Sequence, residues 1–350
     1  MMPASQSDTT LSAAMTPPLK QAALPVLDID NLYLEFPVYK GAIRALNGVT
    51  IQVMPGEIVG IVGESGSGKS VTAMMSMRLI PQNSYRVPAG TIRKSGINIL
   101  QATEKEMRHI RGKDMAMIFQ EPMTALNPTM RVGRQITDVI RRHTSLSAGQ
   151  AREHAIALLR DMHIADPVQI FDAYPFELSG GMRQRIMIAL AFSCEPSLLI
   201  ADEPTTALDV TVQKQVLMLL RERARKTGTA ILLITHDMAV ISQFCERVYV
   251  MYAGSVVEQG GTAQVIDRPA HPYTRGLLGG LPENAKPGTP LQAIVGQVPN
   301  LADLPGGCAF RNRCPLQGEP CSQIPPLMAL ADQPGHTAAC WMTAGEAAHV

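Results

Sequence analysis

The stretch Ile58-Val59-Gly60-Ile61-Val62-Gly63-Glu64-Ser65-Gly66-Ser67-Gly68-Lys69-Ser70 decides the fold. A short apolar run, Glu57–Val62, leads into a loop that fits G-x-x-x-x-G-K-[ST], and a helical stretch follows from Lys69 to about Leu79. Strand, glycine-rich loop and helix in that order make a phosphate site. Glycines let backbone N–H groups turn toward phosphates, Lys69 reaches the outer phosphate oxygens, and Ser70 offers its hydroxyl to Mg²⁺. Gly63, Glu64, Ser65, Gly66, Ser67, Gly68, Lys69 and Ser70 are therefore the candidate nucleotide-binding residues. The competing reading, a plain Gly/Ser turn, does not account for this structural context.

Outward from the loop, the pattern alternates. Val26 to about Met54 reads as antiparallel strands interrupted near Tyr39-Lys40-Gly41. Met115–Phe119, Ser197–Ala201 and Ala230–Thr235 read as buried strands, with a helix over Thr211–Lys226 between the last two. From about Met130 to Phe176 the period turns helical, with Leu158, Leu159 and Met162 on one face. Val248–Val257, broken at Ala253-Gly254, reads as a hairpin. Alternating strands and helices predict an α/β fold with a mainly parallel sheet covered on both sides.

Composition bounds the rest. The chain has 350 residues, 46% hydrophobic and 17% charged, with a formal net charge of +1. That balance is of a folded protein, and it gives no reason to expect nucleic acid as a partner. The basic run Arg221–Lys226 reads as the wet face of a helix. No apolar run approaches the length of a membrane span. Residues 1–25 lack the basic start and apolar centre of a secretory signal and are expected to be a loose leader.

Two further motifs carry chemistry. Leu198-Leu199-Ile200-Ala201-Asp202-Glu203 is an apolar strand ending in two carboxylates: Asp202 to hold the metal through water, Glu203 to polarise an attacking water. Leu178-Ser179-Gly180-Gly181-Met182-Arg183-Gln184 precedes a helix, so Ser179 and the glycines can cap orphan N–H groups, and the same geometry makes an anion site.

The glycine loop, the Ser179–Gly181 signature, the Asp202-Glu203 pair and the isolated His236 together resemble the ATPase subunits of ABC transporters, over about Val26 to Gly261. The resemblance implies a P-loop ABC ATPase domain at 26–262, with an antiparallel β subdomain and a helical subdomain at about 121–185. It implies that Gln120 senses Mg²⁺ and the transmembrane partner, that Ala207-Leu208-Asp209 crosses a dimer interface, and that His236 contacts the γ-phosphate. Glu203, His236 and Gln120 are then the catalytic candidates. An upstream aromatic would stack on adenine, with Tyr39 the candidate and Phe36 its competitor.

Phe119-Gln120-Glu121-Pro122-Met123-Thr124-Ala125-Leu126-Asn127-Pro128, the run Ala201–Val210 and His271-Pro272-Tyr273-Thr274-Arg275-Gly276-Leu277-Leu278 narrow the resemblance to the oligopeptide/dipeptide/nickel importer group, closest to its dipeptide-type first ATPase. That implies an ATP-hydrolysing subunit energising uptake of di- or oligopeptides, peripheral on the cytoplasmic face of the inner membrane. Its implied partners are a second ABC ATPase subunit (a paralogue in a heterodimer), two transmembrane permease subunits and an extracytoplasmic substrate-binding protein. Import of nickel or opine-like solutes, a non-transport ABC ATPase, and a regulatory module built on the cysteines are the alternatives.

Past Gly261 prolines become dense, marking an irregular extension at 263–350. It holds Cys308, Cys314, Cys321 and Cys340, separated by five, six and eighteen residues. This is not the paired spacing of a zinc ribbon. Thiolates on Pro/Gly-rich backbone suit a [4Fe–4S] cluster, and the resemblance points the same way; zinc and free thiols are the other readings. Cys194 and Cys245 read as core residues.

Overall fold

In the computed structural model, residues 24–39, 41–120, 125–206, 208–281 and 294–346 are described; the leader expected at 1–25 lies almost wholly outside them, as do residues 121–124 and Ala207. The first half carries β1 (Leu27–Val38), β2 (Gly41–Val53), β3 (Ile58–Val62), α1 (Lys69–Ser76), β4 (Thr91–Lys94), β5 (Ile97–Asn98), α2 (Glu104–Ile110) and β6 (Met115–Ile118). Helices α3 (Val132–His143), α4 (Ala148–Asp161), α5 (Pro167–Asp172) and α6 (Gly180–Ala191) follow. Then come β7 (Leu198–Asp202), α7 (Val210–Thr227), β8 (Ala230–Thr235), α8 (Met238–Phe244), β9 (Arg247–Tyr252) and β10 (Ser255–Gly261). The extension adds α9 (Thr262–Asp267), α10 (Pro272–Gly279), β11 (Met328–Ala329), β12 (Thr337–Ala338) and α11 (Trp341–Glu346).

The main sheet runs β11-β12-β10-β9-β3-β8-β7-β6. Its centre is parallel: β3 pairs with β8 and β9, and β7 with β6 and β8. Every residue of β3, β7 and β8 is buried, which explains why these strands read as continuous apolar runs. Alternation persists beneath that run. Val59, Ile61, Leu198, Ile200, Leu232 and Ile234 face one core, shared with the antiparallel sheet β2-β1-β4-β5. Ile58, Val62, Leu199, Ala201, Ile231 and Leu233 face the other, shared with the helices. One sheet thus divides two apolar layers, as a period of two requires.

Helix boundaries follow local chemistry. Ser147 and Gln150 form a reciprocal cap at α4, Asp166 caps α5 just before Pro167, and Asp209 caps α7. Gly228, at φ 68°, ends α7 in the left-handed conformation. Within the helical layer a Cβ on Gly133 would lie 2.3 Å from the Phe171 ring. Gly133→Ala should therefore destabilise the α3–α5 contact by about 1–3 kcal/mol, measured as a lowered midpoint in chemical denaturation.

Among its described residues the extension is largely turns and coil, with a few short elements that tie it to the host fold. Two-residue strands β11 and β12 extend the main sheet through β10, and α10 packs its Tyr273 into the helical-side core. Burial on the host sheet supplies the order that local propensity does not. Glu258 of β10, wholly buried, accepts bonds from Ala270 N (2.8 Å), His271 N (2.9 Å) and a 2.7 Å contact with His336 Nε2.

Candidate functional site

Four adjacent parallel strands, β3, β8, β7 and β6, end at one edge of the sheet. That edge is where open α/β sheets gather ligand-binding groups. The phosphate loop follows β3, His236 follows β8, Asp202 ends β7 with Glu203 next to it, and Gln120 lies two residues past β6. In-register pairs Val62–Thr235, Asp202–Ile234 and Ile118–Ala201 level these ends with one another.

The loop is shaped by its glycines. Gly63, at φ 156°, sits so close to the next strand that a Cβ would fall 2.2 Å from Met251 O, a backbone atom that cannot step aside. Lys69 is 5% exposed, and its ammonium donates to Gly63 O (2.8 Å) and Glu64 O (2.9 Å). Ser70 Oγ donates to Asp202 Oδ1 at 3.1 Å, joining hydroxyl and carboxylate as a hard cation's ligands would need.

Glu203 is held on both oxygens. Gln120 Nε2 (3.1 Å) and Thr206 Oγ1 (2.9 Å) donate to Oε2, while His236 Nδ1 lies 3.2 Å from Oε1. Its backbone has φ 46°, and its N–H bonds Ile234 O at 2.8 Å, so the neighbouring strand fixes a conformation non-glycine residues rarely adopt.

The two carboxyls diverge. Burial, the largest influence on Asp202, pushes its pKa up, helped by the Glu203 charge and opposed by the Ser70 bond and Lys69. Burial also pushes Glu203 upward, but bonds from His236 and Thr206, with the charges of His236 and Lys69, outweigh it and hold that carboxyl below its usual range. Lys69 is lowered by desolvation, against the attraction of Glu203, Asp202 and Glu64.

Of the other expected positions, Ser179 caps α6 by accepting from Met182 N at 3.3 Å. Ser179 and Gly180 are exposed, a Cβ on Gly180 would meet nothing within 4 Å, and one on Gly181 would meet Val212. The signature therefore faces outward beside α7, and Gln184 behind it donates to Pro204 O, one residue past Glu203. Tyr39 is 99% exposed at the tip of the β1–β2 hairpin. Cys308, Cys314, Cys321 and Cys340 are free thiols that line one pocket with Phe310 and Trp341. Burial, then the nearby thiols, pushes Cys308 and Cys314 upward. Among the described residues no three His, Cys, Asp or Glu side chains stand at the spacing of ligands around a single metal ion. Cys245 is buried as expected, and desolvation raises it; Cys194 is half-buried.

Sequence reasoning did not find three contributors. Thr206 had a signal, its i+3 spacing from Glu203. Tyr273, whose hydroxyl accepts from Glu64 N at 2.8 Å, lies within the His271–Leu278 motif, whose sequence does not show that contact. Arg313, which bonds the Glu64 carboxylate, is 249 residues away and had none.

Comparison with known proteins agrees with this geometry. The ABC transporter family model matches residues 46–206, and the model of the oligopeptide/dipeptide transporter C-terminal region matches 257–321. The chain is 61% identical to the probable D,D-dipeptide transport ATP-binding protein DdpD of Escherichia coli K12, over 91% of the chain and 96% of that protein. It is 45% identical to the dipeptide transport ATP-binding protein DppD of Bacillus subtilis 168, over 93% and 96%. Among solved structures, the dimeric post-hydrolysis cassette MJ0796 with ADP and Pi superposes at a TM-score of 0.60 and 25% identity, covering 67% of the chain and 98% of its own. The chain belongs to the ABC transporter ATP-binding family, as an ATP hydrolase whose carboxy-terminal region is of the oligopeptide/dipeptide transporter type.

Proposed function

We propose that the chain is the ATP-hydrolysing subunit of a peptide importer, working on the cytoplasmic face of the inner membrane. The observation that carries it is the joint presence of a complete strand-end site (Lys69, Ser70, Asp202, Glu203, His236, Gln120) and the oligopeptide/dipeptide carboxy-terminal region in one chain. No helix among the described residues is long and apolar enough to cross a membrane, so permease subunits would supply the passage and an extracytoplasmic binding protein the cargo. A second ATPase subunit, a paralogue in this reading, would close over the phosphate loop with its own copy of the Ser179–Gly181 signature. The outward-facing signature of this chain would do the same in return. Tyr39 would lie against adenine, and the Asp209 turn would meet the partner. Purified with the neighbouring permeases, the chain should show ATPase activity that rises when peptide-loaded binding protein is added. Stimulation by nickel or opine complexes instead, or by nucleic acid, would overturn the peptide reading.

Ser70 and Asp202 would hold Mg²⁺, which neutralises charge on the transferring phosphoryl group. Glu203, kept ionised by its neighbours, would orient and polarise the attacking water, with His236 beside the γ-phosphate. Removing His236 takes away an influence that lowers the Glu203 pKa. His236→Ala should therefore move the acid limb of the kcat profile to higher pH; an unmoved limb in the purified complex would contradict that role.

Four free thiols around one apolar-walled pocket are the donor set of a [4Fe–4S] cluster, with Cys308, Cys314, Cys321 and Cys340 as ligands. Such a group would staple the extension. An anaerobic preparation should be brown and contain iron and sulfide, whereas a colourless, zinc-loaded protein would refute the cluster.

A further inference from the structure

Glu64, the second residue of the phosphate loop, has all its polar groups engaged. Its N–H donates to Tyr273 Oη at 2.8 Å, and its carbonyl accepts from Lys69 at 2.9 Å. Its carboxylate takes a two-pronged bond from Arg313, Nη1 to Oε2 at 2.7 Å and Nη2 to Oε1 at 3.0 Å. Both Arg313 and Tyr273 belong to the extension, not to the nucleotide-binding fold.

Arg313 has little freedom to be elsewhere. Its side chain is 6% exposed. Its Nε donates to Val295 O at 3.0 Å, Nη2 also to Gly296 O at 3.2 Å, and Nη1 to Tyr252 Oη at 3.3 Å. The guanidinium stands 5.8 Å from the Tyr252 ring centroid and 5.9 Å from that of Phe310. A surface ion pair contributes little, but a buried, bidentate arginine–carboxylate bond fixes geometry as well as energy. This pair is of the second kind on the arginine side.

What places Arg313 is the cysteine segment. It ends the turn Arg311–Arg313, between Cys308 and Cys314. That turn is closed by Arg311 N to Cys308 O (3.1 Å) and Cys314 N to Arg311 O (3.3 Å), while Cys308 N bonds Cys321 O (3.0 Å). Phe310, in the same turn, lines the thiol pocket and also packs on Tyr252 (5.2 Å) and Tyr273 (5.4 Å), whose hydroxyls accept from Arg313 and from Glu64 N. A shift of the turn that spreads the cysteines moves Arg313 with it.

We propose that Arg313 is a positioning residue for the phosphate loop, and that through its grip on Glu64 the organisation of the four-cysteine pocket sets how tightly the loop binds ATP. The link runs from thiol pocket to Arg313, to Glu64, to the Glu64 carbonyl that holds Lys69. The inference rests on the reading of Gly63–Ser70 as the ATP site, and it extends the cysteine pocket's role from staple to control.

The test uses the assembled transporter. Arg313→Gln is expected to weaken ATP binding, by titration with a fluorescent ATP analogue and as KM, about tenfold, the range typical of outer-shell partners. Turnover at saturating ATP should change far less, because Glu203 and His236 are untouched. Glu64→Gln should give the same loss, and the double variant no more than either single, a coupling that independent structural damage does not produce. Cys314→Ser should weaken ATP binding in the native background and have no further effect in Glu64→Gln, with iron and sulfide content read alongside. If Arg313→Gln fails to fold, Glu64→Gln decides the matter from the more exposed side of the pair. Unchanged ATP affinity in a folded Glu64→Gln or Arg313→Gln protein, or additive losses, overturns the proposal. Failure of the native complex to bind ATP would overturn the parent reading itself. Absence of iron with the Arg313–Glu64 coupling intact would refute only the cluster.

Discussion

Glu203→Gln is expected to lower ATP turnover by about 10²–10⁴-fold, the range attributed to a positioned general base, while leaving ATP affinity nearly unchanged. The separation of the two effects follows from the hydrogen bonds. One carboxylate oxygen accepts from Gln120 and Thr206, and the other meets His236 Nδ1. A glutamine amide can place its oxygen toward the two donors and its nitrogen toward the imidazole, so the shape and the bonds of the side chain survive. The left-handed backbone, tied to Ile234 O, survives too. Only the negative charge and the basicity go. Glu203 is also not a partner of Lys69 or Ser70 by hydrogen bond; those groups bond Gly63, Glu64 and Asp202. Turnover measured in the purified complex beside a nucleotide titration will decide it. A residual rate above about a tenth of native would be inconsistent with a general-base role.

The same arrangement explains what the sequence could reveal. A phosphate loop is local chemistry: glycines at φ values other residues avoid, then a lysine and a serine opening a helix, all within eight positions. Strands β7 and β8 are legible because burial on both faces leaves four or five consecutive apolar residues with turn signals on either side. That Asp202-Glu203, His236 and Gln120 meet is a consequence of strand order, and order is not written locally. The family resemblance implies the meeting, and the β3-β8-β7-β6 adjacency is its physical cause. The extension was harder. Strands of two residues have no period to detect, and β11 and β12 exist because β10 offers an edge. Arg313 reads as one more basic residue between cysteines until Glu64 is brought beside it, and no spacing rule spans that separation.

Lys69→Ala should fail in the opposite way, losing ATP affinity by on the order of 10²-fold, since charged hydrogen bonds are worth roughly 1.5–3 kcal/mol each. Lys69 is the cation buried beneath the loop, 5% exposed, and its ammonium feels Glu203, Asp202 and Glu64 together. With the lysine gone, a triphosphate would approach carboxylates with no opposing charge, and the Gly63 and Glu64 carbonyls would lose their donor. Lys69→Arg should rescue little, because a planar guanidinium needs more room than a cradle built for a compact ammonium gives. Binding by equilibrium titration separates the cases: Glu203→Gln binds and does not turn over, whereas Lys69→Ala does not bind at concentrations that saturate the native complex. If Lys69→Ala kept native affinity, the backbone N–H groups alone would be holding the phosphates. The lysine's role would then be confined to the transition state, where it would be read in kcat.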